Sequence, residues 1–245
     1  MPDAGRVIAG SAKGVRLDAP GPGTRPLTDR VKQTLFAILE PELEGAAVAD
    51  LFAGSGAGGI EALSRGAASA VFVERHAGAA RVIAANLRRA SLGAAAEVVT
   101  RDAVAWLSYP AGAAARGPFD IVLIDPPYED TAAMRQALEL VGAHVAPDGV
   151  VVAKHFWRDA PPASIGLLAS GRERRFGETA LTFYRRAEAE LELLTSRSTR
   201  ARSTRSPTAT STSSSAPPAC SIASSSPSSA TLASRPCCRR TPASP

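Results

Sequence analysis

Five apolar segments that alternate with helical patterns constrain the fold of this chain more than any other feature. Strands are predicted at 48–52, 70–74, 97–101, 119–125 and 149–154, and helices between them at 59–65, 77–90, 103–107 and 131–144. Segment 121–124 (Ile-Val-Leu-Ile) is apolar throughout, which is typical of a parallel sheet that helices cover on both faces. The alternation therefore predicts a doubly wound α/β domain with a mostly parallel sheet.

Shorter elements flank this domain. Before it, segments 6–9 and 15–18 predict a hairpin, and Thr28 is predicted to cap a helix that ends at Pro41. After it, segments 172–176 and 179–186 predict an antiparallel hairpin. We therefore expect an N-terminal extension over 1–46 and the principal domain over 47–190.

The composition changes abruptly near Leu194. Residues 195–245 include 16 Ser, 8 Thr, 8 Ala, 7 Pro and 7 Arg, with Ile222 and Leu232 as the sole large aliphatic residues. Such a segment cannot bury enough apolar surface to offset its ordering entropy, so we expect disorder over 195–245. Three explanations stay open: an RNA-binding arm, an ordinary disordered extension, or a GC-rich gene translated out of frame.

The net charge of +5 comes from this tail. Its seven Arg residues and lack of acids leave 21 basic and 23 acidic residues in the body, a net charge of −2. The basic character is therefore no argument for nucleic-acid binding by the folded part. All three cysteines also lie in the tail, and the three histidines lie on different predicted elements. We expect neither disulfides nor a metal site in the body.

The N-terminal segment has no apolar signal region, and no run of 18 apolar residues occurs in the sequence. We therefore expect a cytoplasmic protein with no membrane association.

A glycine-rich segment follows the first predicted strand. Residues 50–56 (Asp-Leu-Phe-Ala-Gly-Ser-Gly) lead from the end of this strand into a predicted helix. Gly54, Gly56 and Gly59 fit the pattern G-x-G-x-x-G. Glycines let the chain turn tightly and let a ligand approach backbone amides at a helix N-terminus. Glu74 ends the second strand, where its carboxylate can accept hydrogen bonds from ribose hydroxyls. This pattern predicts a nucleoside cofactor, and a nicotinamide-dependent oxidoreductase fits it as well as a methyltransferase does.

Residues 125–128 (Asp-Pro-Pro-Tyr) separate these two possibilities. They follow the fourth strand, at the sheet edge where doubly wound folds bind ligands. An aryl amine is a poor nucleophile because its lone pair is delocalised. If the Asp125 carboxylate and the Pro126 carbonyl accept its two N–H groups, the lone pair becomes available for a methyl sulfonium. Tyr128 provides a flat face for a flipped base. The motif favours methylation of an exocyclic amino group.

The chain resembles a specific family at several motifs in the same order. Segments 25–32, 35–36, 50–56, 59–67, 119–128, 176–179 and 183–184 are similar to the bacterial small-subunit rRNA guanine-N2 methyltransferases, the RsmD family. The resemblance extends over about residues 6–186.

This resemblance implies a seven-stranded class I methyltransferase fold, S-adenosylmethionine as cofactor, and transfer to N2 of one guanine in small-subunit (16S) rRNA. It also implies an assembling 30S particle as substrate, and we expect a monomeric enzyme. The implied cofactor residues are Asp50, Phe52, Gly54, Ser55, Gly56, Glu74, Arg75, Asp102 and Ala103. Asp125, Pro126 and Tyr128 would act on the base, and Arg25, Thr28, Arg30 and Pro127 would bind the substrate. His76, Lys154 and His155 depart from the pattern that we expect of the family.

Three alternatives remain open. An amino methyltransferase of the same fold could act on adenine in DNA or RNA, or on a protein glutamine. A nucleotide-binding oxidoreductase would need a substrate domain, for which the body leaves no room. An RNA-binding module would need no catalysis. We expect RNA contacts on 25–32 and 172–175, and direct transfer without a covalent intermediate, since the body has no cysteine.

Overall fold

The computed structural model of the chain describes residues 3–21, 27–109 and 112–187. Its N-terminal part contains two short strands and one helix: β1 (Asp3–Arg6), β2 (Arg16–Asp18) and α1 (Asp29–Leu43). The predicted tail over 195–245 and the predicted substrate residue Arg25 lie outside the described residues.

The remaining elements form one sheet and the helices that pack on it. The strands are β3 (Ala47–Leu51), β4 (Ser69–Glu74), β5 (Ala96–Thr100), β6 (Phe119–Ile124), β7 (Val145–Phe156), β8 (Ser164–Ile165), β9 (Leu168–Phe176) and β10 (Thr179–Arg186). The helices are α2 (Ala57–Ser64), α3 (Ala77–Arg89), α4 (Ala103–Ser108) and α5 (Thr131–Val141).

Hydrogen bonds join the strands in the order β5-β4-β3-β6-β7-β10-β9-β8. The first five of these strands are parallel, and β10 is antiparallel to both β7 and β9. This topology confirms the doubly wound, mostly parallel α/β fold. Within the described residues, the sheet has eight strands rather than the expected seven because Ser164–Ile165 pairs with the start of β9. A strand of two residues leaves no periodic pattern that a sequence could reveal.

Helices cover both faces of the sheet. Along β6, Ile121 and Leu123 pack into the core shared with α1, α2 and α3. Their neighbours Val122 and Ile124 pack into the opposite core with α4 and α5. Both faces of the strand are therefore buried, which explains its uninterrupted apolar sequence.

Helix α1 begins as predicted and ends later than predicted. Thr28 caps it, because the Thr28 Oγ1 accepts a hydrogen bond from the Val31 amide at 3.4 Å. The predicted end at Pro41 is wrong: the helix continues to Leu43, whose side chain is buried in the core. Within the described ranges, no helix is both long and apolar enough to cross a lipid bilayer.

The N-terminal extension packs on α2 through a buried carboxylate. Glu61 lies in the middle of α2, is 1% exposed, and accepts hydrogen bonds from the backbone amides of Ile8 (2.7 Å) and Ala9 (3.1 Å). Because these amides bond to α2, residues 8 and 9 do not continue the strand. The predicted strand over 6–9 is therefore wrong beyond Arg6, where β1 ends.

Candidate active site

The glycine-rich loop joins β3 to α2 in a tight curl. Phe52, Gly54 and Gly56 all have positive φ angles, of 60°, 56° and 76°. Phe52 is notable because L-residues other than glycine seldom adopt this conformation, and such outliers cluster at ligand sites. At Gly59, helix α2 packs closely against β4: a Cβ atom at this position would lie 2.4 Å from the Phe72 ring. The loop is therefore bent and held close to the sheet edge.

Asp50 lies beneath this loop. The residue is only 4% exposed, and its Oδ2 accepts a hydrogen bond from the Gly59 amide at 2.8 Å. Burial raises the pKa of Asp50 to about 7, and the charges of Asp125 and Glu74 add to this increase. The structure thus places Asp50 where it orients the first turn of α2.

Glu74 connects the end of β4 to the loop. Its Oε2 accepts a hydrogen bond from the Gly54 amide at 2.9 Å, and its Oε1 accepts one from the His76 amide at 2.8 Å. Each oxygen keeps a further lone pair for a ligand hydroxyl. Arg75 and His76 are exposed and bonded to each other, with 3.1 Å between Arg75 Nε and His76 Nε2.

Two further predicted cofactor positions follow β5. Asp102 caps α4, because its Oδ1 accepts a hydrogen bond from the Ala105 amide at 2.9 Å. Ala103 is the first residue of α4 and is 2% exposed. Both lie at the same edge of the sheet as the glycine-rich loop, since β5 pairs in parallel with β4.

The Asp-Pro-Pro-Tyr segment lies at this edge directly beside the loop. The Asp125 amide approaches the Leu51 carbonyl at 3.4 Å, which joins the segment to the end of β3. Pro126 is buried and Pro127 is exposed. The Tyr128 hydroxyl lies 2.7 Å from Thr179 Oγ1, so this ring is tied to the start of β10.

Asp125 is held by a lysine that the motif does not contain. Lys154 Nζ donates to both carboxylate oxygens of Asp125, at 2.7 and 2.9 Å. The two side chains are 9% and 27% exposed. Burial raises the pKa of Asp125, and the Lys154 charge and hydrogen bonds oppose that increase. The same ammonium lies 5.3 Å from the centre of the Tyr128 ring.

A cavity of about 390 Å³ opens beside Tyr128 and Lys154. Arg175, in β9, also lines it, and its guanidinium stacks on the Trp157 ring at 3.6 Å from the ring centre. The cavity is completed by residues of the α1 start and the β9–β10 turn: Leu27, Thr28, Arg30, Val31, Phe176, Gly177, Glu178 and Thr179. Among the described residues, no three His, Cys, Asp or Glu side chains lie close enough together to hold a metal ion.

The structure thus groups the predicted residues in two neighbouring places. The predicted cofactor residues lie at the ends of β3, β4 and β5, and two of the predicted substrate residues, Thr28 and Arg30, line the cavity.

Lys32, within the expected RNA-contact segment, is wholly buried and donates to the Arg6 carbonyl, so that part of the expectation is wrong. The sequence singled out Lys154, which ends the apolar run 150–153, as a departure from the family pattern, but it did not predict the contact of Lys154 with Asp125.

Comparisons with known proteins agree with this arrangement. A family model described as Conserved hypothetical protein 95 matches residues 5–185. Ribosomal RNA small subunit methyltransferase D of Escherichia coli is 34% identical over 184 residues, which are 74% of this chain and 89% of that protein. The YlbH protein of Bacillus subtilis is 37% identical over 74% of this chain and 98% of its own length.

Solved structures match over the same region. The yhhF protein of Escherichia coli superposes with a TM-score of 0.63 at 33% identity, and covers 74% of this chain and 97% of its own. A hypothetical protein of Thermus thermophilus gives a TM-score of 0.61 at 35% identity, over 73% of this chain and 97% of its own. The family model, the relatives and the fold together show that this chain belongs to the RsmD family of class I methyltransferases.

Proposed function

We propose that this chain transfers a methyl group from S-adenosylmethionine to the exocyclic N2 of a guanine in small-subunit rRNA. One observation carries the proposal: the curled glycine-rich loop, Glu74 and Asp125 meet at one edge of the sheet, at the ends of β3, β4 and β6. Ligands of doubly wound folds bind at this edge.

The residues at the edge fit the cofactor. Glu74 is fixed by two backbone amides and keeps lone pairs for the two ribose hydroxyls. The loop around Phe52, Gly54 and Ser55 would hold the ribose and methionine parts, and Asp102 and Ala103 would contact adenine. When bound, S-adenosylmethionine supplies a methyl group on a positively charged sulfonium, which makes that methyl electrophilic.

Asp125 and Pro126 prepare the nitrogen that receives the methyl group. The Asp125 carboxylate accepts one N–H of the target amino group, and the Pro126 carbonyl accepts the other. Pro127 restricts the ψ angle of the residue before it, so the direction of the Pro126 carbonyl is constrained. With both N–H groups engaged, the nitrogen lone pair would form the new N–C bond as the methyl–sulfur bond breaks, which leaves a neutral thioether. The nitrogen would lose one proton to the Asp125 carboxylate that already accepts its hydrogen bond. Neither residue forms a covalent bond to the base.

The cavity beside Tyr128 suits a flipped nucleotide. Its volume of about 390 Å³ accommodates a base and its sugar, and the Tyr128 ring offers a stacking surface. Arg30 and Arg175 line it and would contact phosphate oxygens, which position a nucleic acid without reading its sequence.

Ribosomal RNA is the substrate class favoured by the names of the relatives, which include Ribosomal RNA small subunit methyltransferase D. The body has a net charge of −2 without its tail, so affinity for free RNA should be modest. The resemblance to the family, and not the charge, makes an assembling 30S particle the expected partner, and we expect a monomeric enzyme in the cytoplasm.

Transfer of tritium from labelled S-adenosylmethionine to small ribosomal subunits tests the proposal. The modified nucleoside is identified by mass spectrometry after digestion. We expect one N2-methylguanosine with the wild-type chain and none with Asp125→Ala. Asp148→Ala is the matched control, since Asp148 is exposed on β7 and outside both the loop and the cavity.

The outcomes separate the alternatives. Label on adenine or on a protein glutamine would support methyltransferase activity and contradict guanine N2 as the target. Full turnover by Asp125→Ala would reject the role of the carboxylate. Binding of subunits without any transfer would favour an RNA-binding module.

A further inference from the structure

Lys154 and Asp125 are neighbours because of the strand register. Ile124 of β6 pairs with Ala153 of β7, so the next residue of each strand lies at the same level. Both side chains lie on the sheet face that α1, α2 and α3 cover, since Leu123 and Val152 pack into that core. This placement explains how one ammonium reaches both carboxylate oxygens, at 2.7 and 2.9 Å.

The carboxylates at this edge of the sheet carry like charges and repel one another. Asp125 follows β6, Asp50 is the second-last residue of the adjacent β3, and Glu74 ends β4. The charges of Asp125 and Glu74 both raise the pKa of Asp50. Burial raises the pKa of Asp125 itself, and Lys154 is the charge that counteracts this. A protonated carboxyl oxygen donates a hydrogen bond and therefore cannot accept one from an amino group in the same direction.

We propose that Lys154 is a positioning residue for methyl transfer: its ammonium keeps the Asp125 carboxylate ionised and fixed in orientation as the acceptor of the target amino group. This inference rests on the proposed function. Two hydrogen bonds from one ammonium restrict rotation of the carboxylate plane. The positive charge stabilises the ionised form in a partly buried site.

The pH dependence of single-turnover methyl transfer tests this role. We would measure the rate with small ribosomal subunits from about pH 5 to about pH 9 for the wild type, Lys154→Met and Lys154→Arg. Removal of an opposite charge at this distance typically raises a carboxyl pKa by about 1 to 3 units. The acidic limb of the Lys154→Met profile should move to higher pH by that amount. At alkaline pH its rate should level off below the wild-type rate, because the carboxylate is ionised there but is no longer held by the two hydrogen bonds. Lys154→Arg should restore the original limb.

Two controls accompany this series. Lys13→Met makes the same chemical change at an exposed loop of the N-terminal extension and should leave the profile unchanged. Calorimetric binding of S-adenosylmethionine shows whether each variant is folded. Should Lys154→Met fail to fold, Lys154→Gln serves instead, because its amide removes the charge and keeps a donor.

A second measurement needs no activity. Carboxyl ¹³C NMR follows the titration of Asp125, with its resonance assigned by its loss in Asp125→Asn. The Asp125 resonance should titrate at higher pH in Lys154→Met than in the wild type. An unchanged titration, or a rate lowered by the same factor at every pH, would overturn the inference. If the wild type methylates no ribosomal subunit, the proposed function fails, and the NMR titration still decides the effect of Lys154 on Asp125.

Discussion

Asn86 joins three parts of the molecule that the sequence separates widely. Its Nδ2 donates to the carbonyls of Asp18 (2.9 Å) and Ser55 (3.0 Å), and its Oδ1 accepts from the Asp18 amide (2.9 Å). The side chain is wholly buried. It therefore fixes the glycine-rich loop against both β2 and α3.

We predict that Asn86→Ala lowers the free energy of unfolding by about 3 kcal/mol, since each of the three hydrogen bonds contributes roughly 1 kcal/mol. For a folded body of this size, the melting temperature should fall by roughly 6–12 °C. The affinity for S-adenosylmethionine should fall as well, because the Ser55 carbonyl loses the bond that positions its loop.

Urea unfolding and calorimetric titration measure these two effects. Arg88→Ala is the matched control, since Arg88 is exposed in the same helix and should change neither quantity appreciably. A loss of less than about 1 kcal/mol in Asn86→Ala would refute the reasoning, because it would mean that water replaces the bonds to Asp18 and Ser55 at little cost.

Two further predictions concern the carboxylates near the glycine-rich loop. The pKa of Asp50 is raised from 3.8 to about 7, so the folded protein retains a proton that the unfolded chain releases. Asp50 should therefore make the free energy of unfolding fall by up to about 4 kcal/mol as the pH rises from about 4 to about 7. Urea unfolding across this range should show a smaller fall in Asp50→Asn, and equal pH dependence would contradict the assignment. In Glu74→Gln, the side-chain NH2 group replaces an acceptor and faces the backbone N–H donor of Gly54 or His76. Calorimetry should show about tenfold weaker binding of S-adenosylmethionine, since the ribose hydroxyls lose a charged acceptor and a hydrogen bond to a charged group contributes roughly 1.5–3 kcal/mol. Unchanged affinity would mean that the ribose lies elsewhere.

The parts of the fold that depend on local patterns could be predicted from the sequence. The parallel strands, the glycine-rich loop and the cap at Thr28 each depend on residues within a few positions of one another. The docking of the N-terminal extension could not be predicted, because Glu61 pairs with amides more than 50 residues away. The contact of Lys154 with Asp125 was missed for the same reason, since it requires the register between two strands.

The cavity beside Tyr128 and Lys154 is built largely from elements outside the parallel sheet. Thr28 and Arg30 come from the start of α1, and Arg175 and Thr179 come from the β9–β10 hairpin. The proposed cofactor residues, in contrast, lie at the strand ends that every doubly wound fold provides. The proposed cofactor site and the proposed nucleotide site are therefore built from different elements. Under this proposal, substitutions in the start of α1 or in the hairpin should change which nucleotide fits while the cofactor loop stays intact. The hydrogen bond between the Tyr128 hydroxyl and Thr179 joins the two parts, so a shift of the hairpin would also reposition the proposed stacking surface.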